Sequence, residues 1–124
     1  MEYSHPDICR RTYEFAIRIV KLCTFLDGQP GVARTLSKQI LRSGTSIGAN
    51  IREAQSAESD RDFIHKLEIA LKEARETEYW LELLVSTGIV TPNRLNNLVN
   101  ECKQLCRILI STTKKLKEKR KIAR

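Results

Sequence analysis

Gly44 and Gly48 sit inside a stretch that otherwise has the apolar spacing of an amphipathic helix, and they constrain the fold more than any other feature. Each costs a helix about 1 kcal/mol relative to Ala. The stretch, Arg42-Ser-Gly-Thr-Ser-Ile-Gly-Ala-Asn-Ile-Arg-Glu-Ala-Gln55, also gathers Ser43, Ser46 and Ala49. A spacing of four puts both glycines on one face, where the missing side chains let a neighbouring backbone come close. Asn50 follows on nearly the same face as Ile47, Ile51 and Ala54, so its amide needs a partner when buried. The segment therefore predicts a specified helix–helix contact. A phosphate-binding loop is a poor fit: the interval between the glycines is too short, and Ala49-Asn50 stands where Lys-Ser/Thr is required.

Apolar residues recur at a 3.6-residue period in four segments. The first starts near Pro6, after Ser4 or His5 and with Asp7 in its first turn. It carries Ile8, Thr12, Phe15, Ile19, Leu22, Cys23 and Leu26, and ends at Asp27-Gly28 before Pro30. The second runs from about Val32 to Ala57, with Leu36, Ile40, Ile47, Ile51 and Ala54 facing inward. Ser59-Asp60 caps a third, with Phe63, Leu67, Ala70, Ala74, Thr77, Leu81 and Leu84 as its stripe and Gly88 as its stop. Thr91-Pro92 opens a fourth, through Leu95, Leu98, Val99, Cys102, Leu105, Cys106, Leu109 and Leu116. Four helices with short connections pack antiparallel with their neighbours, so the expected fold is an all-α, up-down-up-down four-helix bundle.

The net charge of +7 is uneven. Lys114, Lys115, Lys117, Lys119, Arg120, Lys121 and Arg124 face Glu118 alone, which leaves the rest of the chain near neutral. The expected organisation is a bundle domain over 1–113 and a basic tail over 114–124. Two readings of that tail stay open: a solvated, frayed end, or an arm that attracts phosphate backbones by counterion release. No apolar run is long enough to cross a bilayer, and the start lacks the basic-then-apolar layout of a secretory signal, so a cytoplasmic protein is expected.

Cys9 and Cys23 lie fourteen residues apart on one predicted helix, hence roughly 21 Å apart along its axis. The four cysteines therefore cannot converge on one ion. Cys102 and Cys106 share a stripe with Leu95, Val99 and Leu109 and read as small buried hydrophobes. Asp62 and His65, spaced i, i+3, could face one metal, but a di-metal bundle needs two such motifs and further carboxylates. No set of acid, base and nucleophile can be assembled, so no enzymatic activity, cofactor, metal or small-molecule substrate is expected.

Two predicted helices carry more apolar surface than one core needs. Tyr13, Ile17 and Val20 form a second arc on the first, and Ile69, Trp80 and Leu83 another on the third, interleaved with Glu73 and Glu76. Self-association is the favoured reading, and a wide core contact the alternative. Glu73 and Glu76 fit a structural salt bridge across a subunit boundary, with Arg52 or Arg42 as partner.

The run Leu41–Gln55 resembles the signature of the four-helix-bundle proteins named after the 23S ribosomal RNA intervening sequences that encode some members. The run Asp62-Phe-Ile-His-Lys-Leu-Glu-Ile-Ala-Leu-Lys-Glu-Ala-Arg-Glu-Thr-Glu-Tyr-Trp-Leu-Glu-Leu-Leu84 resembles its second half. The resemblance implies an antiparallel bundle that assembles as a ring, typically a pentamer, without known enzymatic activity. That family is similar to the accessory variability determinant proteins of diversity-generating retroelements, basic bundles that associate with a reverse transcriptase and nucleic acid. One departure stands out. Many members read Asn-Ile-Ala-Glu-Gly where this chain has Asn50-Ile51-Arg52-Glu53-Ala54, which predicts a second helix continuing further towards Ser59.

Residues and resemblance together lead to a self-assembling accessory protein that binds RNA or DNA through Lys114–Arg124, helped by Arg42, Arg52 or Arg61. The alternatives are an adaptor for a reverse transcriptase or another protein, and an oligomer with no nucleic-acid ligand.

Overall fold

The computed structural model describes residues 6–123. Among them the chain forms four α-helices: α1 (Pro6–Asp27), α2 (Val32–Ala54), α3 (Asp60–Ser86) and α4 (Pro92–Ala123). Ser4, His5 and Arg124 lie outside the described residues.

Consecutive helices pack side by side, and α4 returns against α1 along the sparsest of the four seams. Cross-helix partners fix the directions. Along α1 and α2, Thr12 meets Gly48, Ile19 meets Gly44, and Cys23 meets Ser37. Along α2 and α3, Glu53 pairs with Lys66 at 3.3 Å and Arg42 with Glu73 at 3.0 Å. Between α3 and α4, Glu68 pairs with Lys117 and the Ala74 carbonyl accepts from the Cys102 thiol; between α1 and α4, Arg11 pairs with Glu101 and Phe25 lies under Arg94. In each seam one residue number rises as the other falls, so every helix opposes both neighbours. This is the expected up-down-up-down bundle.

The turns obey local rules. Ser59 Oγ accepts the Asp62 N–H at 3.0 Å and caps α3. Gly88, at φ +75°, takes the left-handed conformation just past the α3 C-terminus, where side-chain-bearing residues are strained. Pro92 occupies the first position of α4, where its missing N–H costs no hydrogen bond. The α2 end differs from expectation: the α-helix stops at Ala54 rather than Ala57. Residues 55–57 still bond back, but to the carbonyls three residues earlier, as in Ser56 N to Glu53 O at 3.0 Å. Such i−3 bonds tighten a last turn and satisfy its exposed carbonyls.

The core contains the residues the periodicity selects, including Phe15, Ile19, Ile40, Ile47, Leu81, Leu84, Leu105 and Leu109. Small and hydroxyl residues join them where helices approach closely. Buried Ser43 Oγ and Thr77 Oγ1 share a 2.9 Å hydrogen bond between α2 and α3. Ser37 Oγ donates to the Cys23 carbonyl at 3.2 Å while the Cys23 thiol donates to the Ser37 carbonyl at 3.4 Å. Buried polar atoms thus find partners across the seams, as an apolar interior demands.

Candidate nucleic-acid interface

The basic run at the C-terminus is α-helix through Ala123, so residues 114–123 form the last turns of α4. The reason is packing. Thr113 and Leu116 continue the stripe of Leu109 at i+4 and i+7, and both are buried, Leu116 with 8% of its surface exposed. Lys117 Nζ reaches Glu68 Oε2 of α3 at 2.5 Å. Cations at a helix C-terminus also complement its dipole.

This continuation builds a groove that neither segment forms alone. Arg61, Ile64, His65 and Glu68 from the first turns of α3 face Lys117, Arg120 and Lys121 from the last turns of α4, around a volume of about 590 Å³. Four cations and a histidine line it against one carboxylate, which Lys117 already holds. Arg120 is half-buried, whereas Arg61, His65 and Lys121 are exposed. Lys114 and Lys121, spaced i−3 and i+4 from Lys117, extend the same flank of α4. Lys115 and Lys119 are also exposed but lie on other sides of that helix. A cationic trough of this kind suits phosphate groups, which need charge and N–H donors more than shape.

The other basic candidates are elsewhere. Arg42 binds two carboxylates of its own chain, Glu73 at 3.0 Å and Glu76 through its second terminal nitrogen. The expected salt bridge across a subunit boundary is therefore an intrachain clamp between α2 and α3, and Arg42 is not a spare cation. Glu73 is buried, with 8% of its surface exposed, so it needs that partner. Arg52 lies over the Tyr13 ring, 5.4 Å from its centroid, on the α1–α2 side.

The two apolar arcs fare differently. Tyr13, Ile17 and Val20 are exposed by 54%, 40% and 47%. On α3, Ile69, Trp80 and Leu83 are half-buried, and Trp80 packs against the core. Its indole N–H donates to Glu76 Oε2 at 3.1 Å. This hydrogen bond, followed by Arg42, holds the Glu76 carboxyl below the usual glutamate range. The α3 arc is therefore largely used within the chain, and Tyr79, not singled out by the periodicity, is the exposed aromatic beside it.

Of the helix-packing set, Gly44 and Gly48 line the α1–α2 seam, whereas Asn50 bonds within its own helix. A Cβ at Gly44 would meet the Ile19 side chain at 2.8 Å, and one at Gly48 would meet the Thr12 carbonyl oxygen at 3.2 Å. Asn50 is half-buried, and its amide donates to Ser46 O of its own helix at 2.8 Å. The four cysteines are free thiols. The hydrogen bond with Cys106, and then burial, push the Cys102 thiol up. Among the described residues no three His, Cys, Asp or Glu gather in a metal-binding arrangement, and no helix is long and apolar enough to cross a membrane.

Comparison with known proteins places this architecture. Residues 5–111 match the family model described as 23S rRNA-intervening sequence protein, so the match stops before the basic run. A crystal structure from Bacteroides thetaiotaomicron VPI-5482, described as a protein of unknown function from the S23 ribosomal protein family, is similar at 52% identity. The similarity covers 86% of this chain and 98% of that one, with a TM-score of 0.80. No curated protein matches. With the helical order and the glycine-lined seam in place over the matched span, the chain belongs to the 23S rRNA-intervening sequence protein family.

Proposed function

We propose that this protein is a non-enzymatic accessory factor that binds the backbone of RNA or DNA in the groove between the α3 N-terminus and the α4 C-terminus. The supporting observation is the convergence of Arg61, Lys117, Arg120 and Lys121 on one trough with a single, already paired carboxylate. The trough's lining is mostly charge and includes no Phe, Tyr or Trp, so binding is tolerant of sequence and sensitive to salt. The exposed Tyr13, Ile17 and Val20 face supports a further part of the reading, assembly into a homo-oligomer. A ring would repeat the trough around its axis, and weak single contacts would gain strength through multivalency.

Fluorescence anisotropy of labelled RNA and DNA across a salt series tests this. The triple variant Arg61→Glu, Arg120→Glu, Lys121→Glu leaves the Lys117–Glu68 pair intact and should lose binding. Equal binding by the variant, or no binding at low salt, would reject the groove. Tight capture of an acidic protein in place of nucleic acid would redirect the reading to an adaptor, such as one for a reverse transcriptase.

A further inference from the structure

A second groove follows the α1–α4 seam, separate from the α3–α4 trough. Leu22 and Phe25 of α1, Val90, and Leu95 and Leu98 of α4 line its apolar part around a volume of about 280 Å³. Val90, Leu95 and Leu98 form a buried floor, and half-buried Leu22 and Phe25, 41% exposed, are the apolar surface a partner can reach. The Arg94 guanidinium covers one side of the Phe25 ring at 4.9 Å from its centroid, a cation–π contact that fixes both side chains.

The lining also carries Arg18, Lys21 and Arg94, and no carboxylate. Arg18 and Lys21 form no ion pair with any described residue. Of the acids elsewhere on the two helices, Glu14 lies near Arg10, Glu101 pairs with Arg11, and Asp27 and Glu118 are outside the lining. The groove is thus an aliphatic floor with an unneutralised basic rim, between two antiparallel helices.

We propose that this seam docks an acidic amphipathic helix of a partner protein. A groove along two helices accepts a helix whose apolar side chains recur at i, i+3, i+4 and i+7. Its flanking Glu or Asp residues would pair with Arg18, Lys21 and Arg94, and this charge pattern selects the partner. The aliphatic floor suits Leu or Ile anchors better than a nucleobase. A second copy pairing through this same seam would set Arg18, Lys21 and Arg94 against their own counterparts, like charge against like.

The probe is a labelled Glu/Leu amphipathic peptide of about five helical turns, ~18 residues, titrated against the full chain by anisotropy. A Glu/Ala peptide and a Lys/Leu peptide are the controls. The Glu/Leu peptide should bind best, and both Phe25→Ala and the pair Arg18→Glu, Lys21→Glu should weaken it about tenfold or more, as anchor and rim losses do. Lys121→Glu, in the other groove, should change it little. Circular dichroism melts check that the variants fold, and amide shift mapping should place the peptide at residues 18–25 and 90–98. Equal binding of the Glu/Ala peptide, or an equal loss with Lys121→Glu, would reduce the effect to general charge attraction and overturn the proposal. So would a Phe25→Ala variant that loses self-association or nucleic-acid binding while peptide binding persists.

Discussion

The Thr12 carbonyl oxygen lies 3.2 Å from where a Cβ on Gly48 would stand. At Gly44, one turn earlier, the obstacle is a side chain: a Cβ there would come within 2.8 Å of Ile19 Cγ1 and Cγ2. The two glycines are therefore constrained by different neighbours. Ile19 is fully buried and the clashing atoms are both branches at its Cβ, so it cannot simply swing aside.

Gly44→Ala gains about 1 kcal/mol of helix propensity. The overpacking costs about 1–3 kcal/mol. A net loss of stability is expected, and Ile19→Ala, which removes the obstructing atoms, should couple to it favourably. A double-mutant cycle by urea denaturation measures that coupling, and strict additivity would disprove the contact.

Arg42→Ala leaves the buried Glu73 carboxylate without its ion partner. The variant should be destabilised by more than the loss of an ordinary surface pair, because Glu73 is the buried partner. Arg42→Ala combined with Glu73→Gln should recover part of it. Thermal melts of the three variants check the order.

Glu76 gives a pH signature. Its folded pKa is lowered, so its contribution to stability is complete above the unfolded value of about 4.3 and is lost as pH falls through the folded value. Trp80, the only tryptophan, donates directly to this carboxylate, and its emission should change over the same acidic window. Trp80→Phe should raise the Glu76 pKa towards normal and shallow the acid limb of the stability curve. An unchanged acid limb in that variant would contradict the role of the indole N–H.

A truncation at residue 113 is a poor probe of the basic groove. It removes buried Leu116 and the Lys117–Glu68 pair along with the charge. The truncated chain should melt earlier than the full chain, whereas Lys121→Glu, at an exposed position, should shift the melt little. Calorimetry of both separates lost structure from lost charge.

Thiol reactivity ranks the cysteines. Cys23, Cys102 and Cys106 are buried and Cys9 is half-buried, so Cys9 should label first with a thiol reagent. The raised Cys102 pKa leaves little thiolate at neutral pH, and labelling there should need unfolding.

The sequence by itself determined the helices, their order and most of the core. Each follows from periodicity, caps and breakers acting over a few residues, and the glycine pair announced a close seam for the same local reason. The tertiary structure decided what those helices leave exposed. Charge density made residues 114–124 read as a loose arm, although Thr113 and Leu116 already carried the continuing stripe. Only packing against α3 shows that 114–123 is helical and turns Lys117, Arg120 and Lys121 towards Arg61. The same holds for Arg42, whose partners lie 31 and 34 residues away, and for Trp80, which spends its N–H on Glu76. Periodicity gives the angle of a side chain around its own helix, but not which neighbouring helix stands opposite. Whether a cation is paired or a ring is covered depends on that neighbour, so the grooves became visible only once four helices were set against one another.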